Sequence, residues 1–291
     1  MKNTFSAPVA TLTELNNIFI ELTAKNCNQR CKHCYIDFPV SKNVKDFISL
    51  DKIKQALIDT NDEKVQCIYL TGAEPMTHPE FNTILRLCLK RANVCVCTNA
   101  SFINEKKARF LKKVEDESTN EIIFKLSIEH YNEIKNDDLR GRGAFRQTMT
   151  AVKSLIKYGF NPLFGITNYY NEDKKVLMTE FAKVCENIGF ETNDFNFQIS
   201  EYYNKYRPAT EAEMSVKPVK SKAAKDCVNL DCEIGRTLTE KGVYVCPFLT
   251  NDHRGRMGSD FKDFTKKMPL ETNFCQTCIK NKSKMFGINF T

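Results

Sequence analysis

Three cysteines fall within the stretch CNQRCKHCY, spaced C-x3-C-x2-C as Cys27, Cys31 and Cys34. Thiolates bind soft metals and iron–sulfur clusters, and three of them leave a tetrahedral shell or a cubane one ligand short. By residue type alone, the triplet is either a cluster site with one open position or part of a zinc shell. His33, His78 or a distant cysteine could complete the latter. A second group lies toward the C-terminus: Cys227, Cys232, Cys246 and the C-x2-C pair Cys275 and Cys278. Cys232, Cys246, Cys275 and Cys278 suffice to close a metal shell, with Cys227 a possible further ligand. Cys67, Cys88, Cys95, Cys97 and Cys185 stand in apolar runs and are expected to pack as small hydrophobes.

Thirteen cysteines in 291 residues, an odd total, fit metal or redox work in a reducing compartment better than a disulfide framework. No apolar run approaches the roughly 20 residues of a membrane helix. The N-terminal MKNTFSAPVATLTELNN lacks the apolar core and cleavage site of a signal peptide. A cytoplasmic protein without a membrane partner is therefore expected. The net charge of +7 is spread through mixed runs such as KKVEDE and NEDKK, which read as solvated faces and not as a nucleic-acid stripe. The basic lean favours an anionic substrate slightly.

The elements that must position these thiols alternate. Strand-like runs cover 17–22, 64–71, 93–99, 122–130, 161–168 and 195–200, and helix-like runs cover 49–60, 81–91, 103–114, 145–159 and 175–189. Strands alternating with helices predict an α/β fold with a parallel sheet. A full eight-unit barrel takes about 250 residues, so six units predict a partial, open (β/α)6 barrel over residues 1–200. Its chemistry belongs beyond the C-terminal strand ends, where the triplet follows the first strand and TGAEP (71–75) follows the second. A polar linker over 201–226 and a small cysteine-rich module over 227–291 complete the expected organisation, the module being too small to hold without a metal staple.

In that setting residues 15–200 resemble the radical S-adenosylmethionine (SAM) superfamily. There, three cysteines hold a [4Fe-4S] cluster whose fourth iron is chelated by SAM, and reductive cleavage yields a 5′-deoxyadenosyl radical that abstracts hydrogen. The resemblance implies that Cys27, Cys31 and Cys34 are the cluster ligands. Gly72, Ala73, Glu74 and Pro75 look like the family's G-G-E-P motif for the SAM amino group, with Ala73 in place of the second glycine. Ser127 and Glu129 match the residues for the ribose and carboxylate, and Arg140, or Arg142 after it, matches an arginine for the SAM carboxylate. FGIT (164–167), Tyr35 and His33 match positions around adenine, and Asn99 occupies a turn common in the family that also serves as a plain turn.

The tail resembles a twitch, or truncated SPASM, module. That resemblance implies one auxiliary [4Fe-4S] cluster, with a tetrathiolate zinc knot as the structural alternative. The glycine of the pattern stands four residues before Cys246, as Gly242, where the family has five. A fully ligated auxiliary cluster takes electrons, so the implied reaction is oxidation of a small-molecule or peptide substrate, driven by a donor such as flavodoxin or ferredoxin. About 16 residues precede the first strand, too few for a peptide-recognition domain, which favours a small molecule or a peptide presented by a separate protein. His253, with Arg254 and Arg256, is a candidate proton acceptor facing the barrel. Radical group transfer or epimerisation in peptide maturation is the rival chemistry. A non-enzymatic iron–sulfur electron carrier is the rival class, but it has no use for Glu74, Ser127 and Arg140.

Overall fold

The computed structural model describes residues 9–36, 38–202, 230–272, 274, 275 and 278. Cys227, Tyr203, Tyr206 and most of the expected linker lie outside the described residues. The strands are β1 (Val9–Thr11), β2 (Asn17–Thr23), β3 (Cys67–Gly72), β4 (Asn93–Thr98), β5 (Ile122–Ser127), β6 (Leu163–Asn168) and β7 (Phe197–Glu201). They continue with β8 (Gly235–Thr239), β9 (Gly242–Tyr244), β10 (Arg256–Gly258) and β11 (Lys267–Pro269). The helices are α1 (Leu50–Asp59), α2 (Phe81–Leu89), α3 (Glu105–Asp116), α4 (Glu133–Arg140), α5 (Ala144–Lys157), α6 (Lys174–Glu186) and α7 (Asp231–Ile234).

From β2 to β7 the strands pair in parallel and in chain order, as the alternation with helices requires. Side-chain oxygens start the crossover helices: Ser49 accepts from the Lys52 N–H, Asn104 from Lys107, and Asp173 from Lys175 and Val176. The apolar faces of these helices, among them Ile53 and Leu57 of α1 and Leu111 of α3, close one main core over the outside of the sheet. Helix α4 escaped the sequence reading because its sequence, EIKNDDLR, carries one apolar stripe residue beyond its first turn. It buries Asn136, Leu139 and Arg140 at helical spacing.

The opposite face of the sheet lines the barrel interior. Phe19 stacks on Tyr69 with ring centroids 4.5 Å apart, and Cys67, Cys95 and Leu163 complete that apolar floor. Two residues further along each strand the same face turns polar: Glu21 pairs with Thr71, Cys97 with Lys125, Ser127 with Gly165, and Gly165 with Gln198. Sequence period two therefore carries polar side chains upward to the mouth.

The tail joins the same sheet. β8 runs parallel to β2, with Asn17 opposite Gly235 and Ile20 opposite Leu238, and β9 and β10 follow antiparallel. The sheet order is β10-β9-β8-β2-β3-β4-β5-β6-β7, while β1 pairs with β11 apart from it. Thr250 also donates to the buried Glu21 carboxylate at 2.8 Å, fastening the tail to the barrel interior. Among the described residues no helix is long and apolar enough to cross a membrane.

Candidate active site

At the C-terminal ends of the strands lies a cavity of about 220 Å³, walled on one side by the cysteine loop and on the other by the ends of β3, β5, β6 and β7. Cys27, Cys31 and Cys34 all line it. The loop is tied at both ends. Asn99 Nδ2 approaches Cys27 Sγ at 3.7 Å and donates to Asn28 Oδ1 at 2.9 Å, while the Lys32 N–H bonds to Leu139 O of α4. Asn99, a turn residue by its sequence, thus anchors the loop to β4.

Burial pushes the Cys31 thiol up to about 11, against the pull of the Arg140 guanidinium, and burial raises Cys27 as well. Both are thiols at neutral pH until a metal displaces the proton. Among the described residues no three Cys, His, Asp or Glu side chains are gathered to hold a single metal ion. His33 is turned to Glu129, with Nε2 2.9 Å from Oε1, and His78 Nε2 lies 2.9 Å from Ile48 O. The zinc shell completed by either histidine is thus not assembled. Cys27, Cys31 and Cys34, three thiols on one cavity wall, would hold a [4Fe-4S] cluster and leave it one protein ligand short.

Around the loop, the acidic residues prove to be organisers. Glu129 Oε1 accepts from Arg140 Nη1 at 2.7 Å and lies against His33, and Oε2 accepts from the Thr167 N–H at 2.7 Å. Burial would raise this carboxyl, but His33, Arg140 and the Thr167 N–H outweigh it and hold Glu129 at about 2. Arg140 also donates to Gln29 Oε1 at 3.0 Å, while its Nε, buried, has no partner. Arg142 is exposed, so Arg140 is the arginine at the cavity. Asp137 of α4 shapes the turn that follows, accepting from the Gly143 and Phe145 N–H groups.

Glu74 is fully buried and faces β4: Oε1 accepts from Met76 N and Thr98 Oγ1, and Oε2 from Asn99 N at 2.8 Å. The neighbouring Gly72 and Ala73, not Glu74, line the cavity. Gly72 has φ +117°, and a Cβ there would meet Thr23 O at 2.3 Å, so only glycine lets β3 turn this close to β2. Ser127, Gly165 and Thr167 present the ends of β5 and β6 to the cavity. Tyr35 also lines it, bonds with the Thr71 side chain and packs edge-on to Phe248 at 5.4 Å.

Residues 22–180, just over half the chain, match the model of the radical SAM superfamily. The chain belongs to the radical SAM superfamily. Its cofactors are accordingly a [4Fe-4S] cluster and SAM. A curated relative is the antilisterial bacteriocin subtilosin biosynthesis protein AlbA of Bacillus subtilis (strain 168), 32% identical over 141 residues, covering 48% of this chain and 30% of AlbA. In fold the chain is similar to Streptococcus suis SuiB bound to its precursor peptide SuiA, with TM-score 0.61 at 13% identity, covering 87% of this chain and 64% of SuiB. It is similar also to anSMEcpe with bound AdoMet, with TM-score 0.63 at 17% identity, covering 92% and 84%. The chain thus spans less than two thirds of AlbA and of SuiB.

For a radical SAM protein, the tail holds a second feature of interest. Cys232, Cys246, Cys275 and Cys278 line one small apolar cavity with Leu230, Val245, Leu249, Met268 and Leu270. Burial pushes Cys232 up to about 12 and Cys246 well above the ordinary thiol range. Phe248 and Phe274, stacked at 5.0 Å, line both this cavity and the larger one and form the wall between them. No pattern in the sequence marks these two rings beyond their position beside Cys246 and Cys275.

Three expectations need correction. The motif places the Glu74 side chain at the SAM amino group, but it is instead taken up by Met76, Thr98 and Asn99, away from the cavity. The side chain of His253 is almost wholly exposed and Arg254 pairs with Asp252 at 2.5 Å, so this patch does not face the cavity. Cys97 is not a core residue like Cys67, Cys88, Cys95 and Cys185: it lines the cavity beside Lys125, because the inner face of β4 is already polar at that height. Gln29, Lys125 and Gln198, absent from the sequence reading, line it too; as single polar residues without a motif they carry no signal in one sequence.

Proposed function

We propose that this radical SAM protein oxidises a residue of a peptide substrate, with a second cluster in the tail as electron acceptor. The observation that carries this reading is the pair of cysteine-lined cavities sharing the Phe248–Phe274 wall. The similarity to AlbA, a bacteriocin biosynthesis protein, supports a peptide over a small molecule.

Cys27, Cys31 and Cys34 would hold the SAM-binding cluster, and Cys232, Cys246, Cys275 and Cys278 the auxiliary one in a twitch-type module. With cluster and SAM bound, the site supplies a 5′-deoxyadenosyl radical for hydrogen abstraction. The chain's own residues do the rest. The unpartnered Nε of Arg140 and the free donors of its fork suit the SAM carboxylate, with Glu129 aiming the guanidinium. The backbone at Gly72 and Ala73 suits the amino group, and Ser127 and Thr167 suit the ribose and adenine ends. Glu74 acts through the Met76 and Asn99 amides and thereby fixes the loop that carries the cluster. Phe248 and Phe274 exclude water between the two sites, and a reductase such as flavodoxin or ferredoxin would start each turnover.

The test is anaerobic incubation of the reconstituted protein with SAM and dithionite, alone and with short peptides encoded beside its gene. Formation of 5′-deoxyadenosine together with a peptide lighter by a pair of hydrogens supports the proposal. 5′-Deoxyadenosine with an unchanged peptide mass and deuterium uptake from solvent would instead assign epimerisation.

A further inference from the structure

Among the described residues Arg236 is the largest fully buried side chain, at 1% exposure, and it lies beside the tail cysteines. Its Nη1 donates to Cys232 O at 2.6 Å and Gly235 O at 2.8 Å, and its Nη2 to Lys266 O at 3.0 Å. The Nε has no partner, and the Phe264 ring lies 6.0 Å from the guanidinium carbon. Among the described residues no carboxylate pairs with it. Burial lowers the guanidinium to about 10, and the nearby Cys232 and Cys246 sulfurs act against that fall.

A guanidinium stays protonated in proteins, and burying it without an opposite charge costs several kcal/mol. Buried charges are therefore paired, and among the described residues the cysteine site is the group that can supply the partner. Four thiolates on a [4Fe-4S] cluster make a net anion whose charge grows by one on reduction. A fixed cation in a poorly polarisable interior favours the more negative state, and net charge and hydrogen bonding are what set cluster potentials. The strand position explains how the fold holds the cation there: β8 is pinned between β2 and β9, and the residue after Gly235 points toward α7, which carries Cys232.

We propose that Arg236 is the built-in counter-charge of the auxiliary cluster and raises its reduction potential, so that the cluster can take the electron a substrate radical gives up as it loses a proton. The inference rests on the auxiliary-cluster reading above. It makes Arg236 a positioning and tuning residue, since it touches neither substrate nor SAM.

The experiment uses the full chain carrying Cys27→Ala, Cys31→Ala and Cys34→Ala together, which leaves the tail site as the single cluster site. The midpoint is read by potential-controlled paramagnetic resonance with Arg236 intact, as Arg236→Gln and as Arg236→Lys. The glutamine variant should lower the reduction equilibrium at least about tenfold, which is 59 mV for one electron, while the lysine variant stays nearer the parent. Loss of the cluster from the glutamine variant with retention in the lysine variant also supports the charge role. An unchanged midpoint in Arg236→Gln, or loss of the cluster from both variants, overturns it. A parent protein that takes up zinc and no iron at the tail sinks the auxiliary-cluster reading itself, an outcome seen before any Arg236 variant is measured.

Discussion

Arg140 Nη1 and Glu129 Oε1 stand 2.7 Å apart with both side chains almost sealed from water, although one arises from α4 and the other from the segment just after β5. The pair joins the cysteine loop, through Gln29 and His33, to the strand ends that frame the cavity. Removing one member of such a pair strands the other charge. Arg140→Ala should therefore destabilise the protein by about 3–5 kcal/mol, read from urea denaturation of the metal-free chain. Arg140→Lys keeps the charge but not the fork, so it should recover much of the stability yet bind SAM weakly. Equal SAM affinity in Arg140→Lys and the parent would remove Arg140 from the carboxylate site.

The same pair makes a prediction about acid. Glu129 is held at about 2 against an ordinary 4.5, so it binds its proton less readily in the fold than in the unfolded chain. Its contribution, on the order of 3 kcal/mol, is present above about pH 4.5 and is lost as the pH falls toward 2. Glu21 and Glu74 act in the opposite sense, because burial raises them; what they contribute is present at low pH and lost as the pH rises. Glu129→Gln should flatten the acid limb of the stability profile relative to the parent. Parallel limbs between pH 5 and 2 would show that the carboxylate is not held down.

The two cysteine sets should separate by metal content. Each [4Fe-4S] site takes four irons, so the reconstituted chain should carry about eight and Cys34→Ala about four, with no 5′-deoxyadenosine formed. Cys246→Ser should also fall to about four but still cleave SAM, because its loss leaves the barrel triplet intact. Four irons with one zinc in the parent would assign the tail site to zinc. Chelated, metal-free protein should alkylate slowly at Cys31 at neutral pH, since burial keeps that thiol protonated to about pH 11.

How much of this was legible in sequence depends on the range of the interaction. The strands from β2 to β7 announce themselves because each is a short, bounded run rich in apolar residues that alternates with a helix, and the triplet and TGAEP then fall at strand ends by counting alone. The same counting brings Ser127, Gly72 and Arg140 to one cavity. Side-chain direction is another matter. Glu74 points into β4 because the Thr98 hydroxyl and two backbone amides compete for it, and no local pattern encodes that choice. GRTLT reads as an unremarkable polar stretch, yet as β8 it pairs with β2, more than two hundred positions earlier. Its arginine looks like a surface residue until that pairing buries it.

Gly72 and Ala73 form a contrast within one motif. Both line the cavity, and the motif's usual second glycine is here alanine, so similarity alone would rank the two positions as equals. The geometry does not. Gly72 sits at φ +117°, where the register between β2 and β3 shifts at Glu21 and Thr23, and an added Cβ would lie 2.3 Å from Thr23 O, a backbone atom that cannot swing away. Ala73 keeps an ordinary φ and donates its N–H to the same Thr23 oxygen at 2.8 Å. Gly72→Ala must therefore strain the backbone and push β3 off β2, costing at least about 2 kcal/mol and weakening SAM binding with it. Ala73→Gly keeps the hydrogen bond and adds only chain freedom, about 0.5–1 kcal/mol. Urea midpoints of the metal-free variants, paired with SAM affinities of the reconstituted ones, decide between them. If Gly72→Ala unfolds no earlier than Ala73→Gly, the close approach of β3 to Thr23 is not what holds this wall of the cavity in place.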